Sequence, residues 1–413
     1  MKSVIYGAGS IGRGFIGQLF SESGFEVVFI DQNKELIDRL NERKSYPIRF
    51  VKDTRNWEIS VLHVRGVWSS DMEAVLDEIS TTDVMATSVG KNVLPAIAPV
   101  IASALKLRWE RSVDTPLNII VCENMVQANV YLGELIAGHL TGSETALFRK
   151  KTGMVETCIG RNVPVMSPRL QDGDPLRVIA EDYSELPIDR SSWLGGLLKI
   201  KHMVPCEPFD FPIRKKLFMY NMAHAVTAYL GDILDIPALA TAIQIPAIRY
   251  ITSKALQEIS IGMAHEYDQD LEALLLYSDE LLYRFGNRQL GISVKRVAQD
   301  PIRKLGTNDR LMGAAGLCLK HGVFPAHIAV GIAAAFYYHY APDEESQTLR
   351  SYIEREGIGK ALDKYSGIGP RHPLRKTVLK LYRLLEDQCS LEEIIHLDEV
   401  CHHRGFGNNP DIF

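Results

Sequence analysis

Residues 4–17 read VIYGAGSIGRGFIG, and the reading of this stretch decides the fold of the first half of the chain. Val4, Ile5 and Tyr6 make a short β-prone run. Gly7, Gly9 and Gly12 follow at the spacing G-x-G-x-x-G, and Phe15, Ile16, Leu19 and Phe20 then recur at helical spacing. Strand, glycine loop and helix in that order are what a dinucleotide pyrophosphate requires. One glycine lets the chain turn tightly, the next lets backbone approach the phosphates, and the third lets helix pack close to strand. The free N–H groups of the helix start then face the phosphate charge. Gly7, Ala8, Gly9, Ser10, Ile11 and Gly12 are therefore the expected cofactor contacts. A second strand, FEVVFI (25–30), ends at Asp31, 19 positions after Gly12, close to the ~20-residue offset of an acid that takes ribose hydroxyls. The charge of Asp31 would repel a 2′-phosphate, and Gln32 and Asn33 supply no arginine to receive one. The expected cofactor is NAD rather than NADP.

Strands and helices keep alternating beyond Asp31. A helix, ELIDRLNER, is followed by a β-rich stretch over 46–67 and a helix over 72–78. The strand DVMATSVG, the helix VLPAIAPVIASALK and the strand LNIIVCEN come next. Such alternation implies a parallel sheet covered by helices, a Rossmann-type doubly wound α/β domain. Ligands of these sheets sit beyond the carboxyl ends of the strands, so Ser88-Val89-Gly90 and Cys122-Glu123-Asn124 should face the cofactor crevice. Val89 and Gly90 join the expected cofactor contacts. The character of the chain shifts near Asp189. Helical patterns then dominate, at 214–231, 236–263, 268–285, 308–320, 325–339, 345–363 and 372–386. The expected organisation is an NAD-binding domain over 1–190 and an all-helical substrate domain over 191–413. YSGIGPRHPLRK (365–376) would connect to a C-terminal extension.

Composition agrees with a globular chain. Of 413 residues, 46% are hydrophobic and 23% charged, and the formal net charge of −5 argues against nucleic-acid or membrane partners. The length suggests two domains. Six cysteines without a C-x-x-C pair read as free thiols of a reducing, cytoplasmic setting. The N-terminus enters a strand at once, so no signal peptide is expected, and no apolar run reaches the ~20 residues of a membrane span.

RKKLFMYNMAHAVTAYLG (214–231) reads as a helix that stops at Gly231. With Lys216 at 0° and 100° per residue, Asn221 falls at about 140° and His224 at about 80°. Lysine, asparagine and histidine thus share one face, while Phe218, Met219, Met222 and Val226 lie opposite. A solvated face on an amphipathic helix is the plain alternative. The apolar flanks and the neighbouring dinucleotide domain argue for a substrate-facing one.

Taken together, GAGSIGRGFIG, TPLNIIVCENM, RKKLFMYNMAHAVTAYLG, DPIRKLGTNDRL (300–311) and HIAVGIAAAF (327–336) resemble, in order and over residues 1 to about 365, the polyol-specific long-chain dehydrogenases. The family's K-x4-N-x2-H pattern is complete as Lys216, Asn221 and His224, and Asn124 matches the asparagine of its [DE]-N pair. The resemblance implies a Rossmann domain followed by a helical one, and no zinc. It also implies NAD-linked interconversion of a sugar alcohol and a ketose, with Lys216 as general base. Asn124 and Asn221 would donate to the substrate oxygen, and His224 would orient that oxygen or the lysine. Segment 300–311 contacts substrate in the family. Its cations Arg303, Lys304 and Arg310 suit the phosphate of a hexitol or ketose phosphate, and equally the carboxylate of a uronate such as fructuronate or tagaturonate. A dehydrogenase of an unphosphorylated polyol is a further alternative of the same class, and a non-catalytic NAD(H) sensor is the alternative of another class. Monomer and homodimer both remain open. Tyr250-x-x-x-Lys254 is read as chance on a helix. Cys401-His402-His403 is read as tail, because no partner cluster stands at a zinc spacing.

Overall fold

The computed structural model describes residues 1–52 and 54–397. The chain divides into two compact units, Met1–Pro212 and a second that begins at Ile213. The first is built on a six-stranded parallel sheet. Its strands are β1 (Lys2–Tyr6), β2 (Glu26–Asp31), β5 (Val64–Trp68), β6 (Val84–Thr87), β7 (Leu117–Val121) and β8 (Thr152–Glu156). They lie in the order β5-β2-β1-β6-β7-β8, every pair parallel. From β1 the chain moves outward through β2 to β5, then returns past β1 to β6 and on to β7 and β8, and that reversal beside β1 opens the crevice at the strand ends.

Alternation along the strands feeds two cores. Ile5, Phe29, Ala86 and Ile120 face one side with Phe15, Leu19 and Phe20 of the helix after the glycines. Val4, Val28, Met85 and Ile119 face the other, with Ile97, Ile101 and Leu105 of the helix Leu94–Glu110. Both faces are covered, which is why these strands read as continuous apolar runs.

The expected β-rich stretch is an antiparallel pair, β3 (Ser45–Lys52) with β4 (Arg55–Leu62), and its last segment is β5 of the main sheet. A short strand, β9 (Val178–Ala180), extends this pair into a second sheet by parallel pairing with β3. The change of character near Asp189 falls inside the first unit. There β10 (Leu186–Asp189) pairs in parallel with β11 (Met203–Cys206) and ties the following segment back to it.

The second unit is helical throughout its described part. Its centre is the helix Ala326–Tyr337, buried at every position from Ala326 to Phe336. Around it pack Met222–Ile233, Pro246–Tyr267 and Arg375–Glu386. Two expected helices are divided. Pattern 236–263 is split into Leu239–Ala242 and Pro246–Tyr267, with Pro246 starting the second. Pattern 345–363 is split into Glu344–Glu356 and Ile358–Ser366 by Gly357 at φ +83°. Gly231 is no stop, since the helix continues to Ile233. Among the described residues, no helix is long and apolar enough to cross a membrane.

The glycine loop carries its own steric test. A Cβ on Gly12 would lie 2.0 Å from the carbonyl oxygen of Gly7 and 2.8 Å from Ser88 Oγ. Strand and helix would have to part to admit it. Gly12→Ala is therefore expected to lower stability by about 3 kcal/mol or more, measured as a fall in the thermal midpoint of the purified protein. An unchanged midpoint would contradict the close packing described here.

Candidate active site

The residues expected to hold the cofactor lie within the first unit. Gly7 turns at φ +105°, with the backbone oxygen of Ser88 only 2.5 Å from where its Cβ would stand. Gly9 is different, for a Cβ there would meet nothing within 4 Å. The space above Gly9 belongs to no protein atom, as close approach of a pyrophosphate requires. Helical turns begin at Ser10 and Ile11 and pass through a π-helical turn, Gly12–Ile16. Asp31 accepts the Ala8 N–H at 2.7 Å and the Asn33 N–H at 2.9 Å. The acid at the end of β2 is thus fastened to the glycine loop itself. Val89 and Gly90 follow β6, and both of their N–H groups donate to Glu123, at 2.9 and 2.8 Å. Asn124 is exposed one residue after Glu123.

The segment between β8 and β9 closes over the same loop. Ser10 Oγ donates to the carbonyl oxygen of Pro164 at 3.1 Å, and Arg161 donates to that of Gly14 at 2.9 Å. Arg13, buried, reaches the carbonyl oxygens of Ala8 and Leu176, each at 2.7 Å. Burial, opposed by nearby acids, holds the Arg161 guanidinium down to about 10. None of these clasps is visible in the glycine pattern.

The polar face of the second unit differs from a plain α-helical wheel. Lys215–Asn221 form a π-helical turn that continues as the α-helix Met222–Ile233. Lys216 and Asn221 are five residues apart, the spacing of the i→i+5 bond, so the wide turn brings them to one side more directly than 140° of α-helix would. Both are partly buried. His224 follows within a group of rings, its centroid 5.4 Å from that of Tyr220 and 5.0 Å from that of Phe285. Its Nε2 is buried without a hydrogen-bond partner. Burial first, then the positive charges of Arg310, Lys304 and Arg284, push the imidazole down to about 3. It is neutral at any physiological pH.

Arg310 and Lys304 of segment 300–311 are thus brought beside His224, and the three cations of the segment are not equal charges. Arg303 is half-exposed and paired with Asp300 at 2.9 Å and, more loosely, with Asp309 at 3.6 Å. Arg310 is mostly buried and bonded through Nε to Asp309 at 2.7 Å. Lys304 is turned inward, 3% exposed, and its ammonium donates to the carbonyl oxygens of Val297 and Gln299. Burial and the neighbouring Arg310 and Arg303 lower it to about 7. Arg284, buried with its guanidinium 5.3 Å over the Tyr220 ring, is a cation of this face that the motif reading passed over. Its only sequence signal is an arginine at the inner end of an amphipathic helix.

The two halves of the chain match two models in sequence, the mannitol dehydrogenase Rossmann domain over residues 1–202 and the mannitol dehydrogenase C-terminal domain over residues 208–367. The chain belongs to the mannitol dehydrogenase family. Mannitol dehydrogenases are oxidoreductases acting on a CH–OH group, and similar relatives are found in bacilli. A mannitol-1-phosphate 5-dehydrogenase of Brevibacillus brevis is 36% identical over 387 residues, which is 94% of this chain and 99% of that protein. One of Bacillus velezensis is 37% identical over 92% of this chain and 99% of its own. An alignment of 387 residues includes the helix Arg375–Glu386 wherever it begins. That part of the extension is therefore shared with relatives. In fold, the chain resembles a D-sorbitol dehydrogenase in substrate-free form (TM-score 0.80, 13% identity, 95% and 94% of the two chains). It also resembles the mannitol 2-dehydrogenase of Pseudomonas fluorescens solved with NAD and D-mannitol (TM-score 0.68, 13% identity, 96% and 93%).

Among the described residues, no group of three or more His, Cys, Asp or Glu side chains could hold a metal ion. Cys401-His402-His403 lie outside those residues. Lys254 bonds Gln257 at 3.1 Å on a long helix.

The state of His224 is testable through stability. Its folded pKa of about 3 lies below the ~6.5 of an unfolded histidine. Between those values only the unfolded chain binds the proton, so stability falls as pH falls through that window. His224→Gln is expected to flatten this part of the curve, measured as thermal midpoints between pH 7 and pH 4. A slope equal to that of the wild type would show that His224 is not held neutral.

Proposed function

We propose that this mannitol dehydrogenase interconverts mannitol 1-phosphate and fructose 6-phosphate with NAD as the cofactor. The observation that carries this reading is the match, over nearly the whole of both chains, to relatives named mannitol-1-phosphate 5-dehydrogenase. The cations beside His224 add a local reason, since the substrate bears a phosphate.

The first unit suits NAD. The open space over Gly9, the close turn at Gly7 and Gly12, and the carboxylate of Asp31 fit a pyrophosphate followed by a ribose with a free 2′-hydroxyl. Gly7, Ala8, Gly9, Ser10, Ile11, Gly12, Asp31, Val89 and Gly90 would hold it. Bound there, NAD supplies the acceptor for the two electrons and the hydrogen that leave the carbinol carbon.

The rest of the chemistry belongs to side chains. Lys216, on the π-turn, takes the hydroxyl proton during oxidation and returns it to the ketone oxygen during reduction. Asn221, one π-turn further on, donates an amide N–H to the oxygen as negative charge gathers there, and Asn124 has the same proposed role. His224 is neutral, so it orients rather than carries charge. Its unpartnered Nε2 is the atom available to a substrate hydroxyl. Arg310 and Arg303 attract the phosphate, and Lys304 contributes its field from below while its ammonium stays on the two carbonyls.

NADH consumption with fructose 6-phosphate, beside fructose, fructuronate and tagaturonate, tests the substrate. Turnover of fructose 6-phosphate alone is expected. Turnover only of a uronate would reassign the cations to a carboxylate, and NADH binding without any turnover would favour a sensor. Lys216→Ala should lower kcat by about 10²–10⁴ while NADH still binds. Loss within a few-fold would remove Lys216 as the base. Gly9→Ala separates cofactor from fold. Its methyl meets no protein atom, so the thermal midpoint should hold while NADH affinity falls by about tenfold or more.

A further inference from the structure

The end of β7 carries a carboxylate for which the reaction above has no chemical use. Glu123 is 8% exposed. Its two oxygens are taken by two successive amides of the loop after β6, Val89 N–H on Oε1 at 2.9 Å and Gly90 N–H on Oε2 at 2.8 Å. That loop turns with Gly90 at φ +89°, and no helix or strand fixes its shape. On its other side it is fastened to the glycine cradle. Ser88 Oγ donates to the carbonyl oxygen of Gly7 at 3.0 Å, and Ser88 N–H donates to that of Tyr6 at 2.8 Å. Asn124 leaves the strand one residue after Glu123. A single side chain therefore joins the ends of β6 and β7, and through Ser88 the end of β1.

A buried anion is costly unless its bonds are made. A neutral acceptor or a water would satisfy a loop amide at less expense in desolvation. Two charge-assisted bonds to consecutive amides do something a neutral group does not, because they fix the direction of the peptide plane between them. The geometry points to Glu123 as a positioning residue. It holds the Ser88–Gly90 loop in the shape that receives the cofactor and sets the direction in which Asn124 leaves β7. This rests on the reading of the first unit as NAD-binding and of Asn124 as a donor to the substrate oxygen.

The test uses the full chain as wild type, Glu123→Gln, Glu123→Asp, Asn124→Ala and the double variant Glu123→Gln/Asn124→Ala. Glutamine keeps the size but turns an NH2 group toward a backbone N–H, whereas aspartate keeps the charge on a shorter stem. NADH affinity is read from quenching of protein fluorescence, and kcat from fructose 6-phosphate reduction at saturating NADH. Glu123→Gln should weaken NADH binding and lower kcat, each by about tenfold or more, the value of one charged hydrogen bond. Glu123→Asp should recover part of both. In the Asn124→Ala background the same change should cost kcat less than about threefold, because the group being aimed is gone.

NADH affinity within about twofold of wild type in both Glu123 variants would overturn the inference. An equal loss of kcat in both backgrounds would overturn the link to Asn124, since a merely structural role predicts that result. If Asn124→Ala alone keeps full kcat, the role given to Asn124 falls, and NADH binding decides the role of Glu123. The same binding data decide it if Glu123→Gln fails to fold, through Glu123→Asp. Wild-type protein that binds no NADH would overturn both readings.

Discussion

The second unit depends on how the buried start of one helix is satisfied. Ala326–Tyr337 has no wet face, so its first amides cannot turn to water. Glu258, from the helix Pro246–Tyr267, answers them. One oxygen accepts His327 N–H at 2.9 Å and contacts His327 Nδ1 at 2.7 Å, and the other accepts Ile328 N–H at 3.1 Å. The carboxylate is fully buried, and the positive end of the helix dipole stabilises it there. With that end fixed, neighbouring helices can press close. Gly331 leaves room for Val226, whose Cγ2 lies 2.5 Å from where a Cβ would stand. Val226 is about 200° around its helix from His224. Pressing Val226 onto the central helix therefore turns His224 away from it, toward the rings of Tyr220 and Phe285.

The cationic segment shows how a protein face carries clustered charge without being destabilised by it. Asp309 lies between Arg303 and Arg310, Asp300 takes Arg303, and carbonyl oxygens take Lys304. The short helix Pro301–Leu305 is held in turn by Asp343, which accepts the Asp300 N–H, and Glu345, which accepts the Arg303 N–H. What His224 experiences is a field from fixed, largely paired cations. Under the proposed function, a phosphate would meet donors already oriented by acids, which would leave little reorganisation to the moment of binding.

Much of this was legible in the sequence, and what was not has physical causes. The doubly wound sheet could be read because Val4–Tyr6, Phe25–Ile30 and the later apolar runs are buried on both faces, and Gly7 and Gly12 sit where neighbouring backbone leaves no room for a Cβ. β9 could not be read, because three residues carry no period. The π-turn at Lys215–Asn221 was hidden for a related reason. A wheel drawn at 100° assumes the turn that this segment does not make, and the Lys216–Asn221 spacing becomes meaningful only once the turn is wide. Lys304 reads in the sequence as a cation equal to Arg303 and Arg310, because sequence shows a charge and not the carbonyl oxygens that receive it. Glu123 stood in plain view beside Asn124, yet its partners are backbone amides more than thirty residues away, which no side-chain pattern encodes.

The clasp over the glycine loop bears on how this half of the molecule could be divided. All six strands of the parallel sheet are complete by Glu156, and a fragment ending there would look like a self-sufficient nucleotide module. It would nonetheless lack Pro164 for Ser10, Arg161 for Gly14 and Leu176 for Arg13, and β3 would lose β9 as its neighbour. The glycine loop and its helix would then have the Gly14 carbonyl without its Arg161 donor, Ser10 without its acceptor, and the buried Arg13 guanidinium with one acceptor missing. The cofactor module cannot be excised at the edge of its own sheet. Gene fusions, split versions or circular permutations of this chain have to keep the stretch through β11 with the strands it braces.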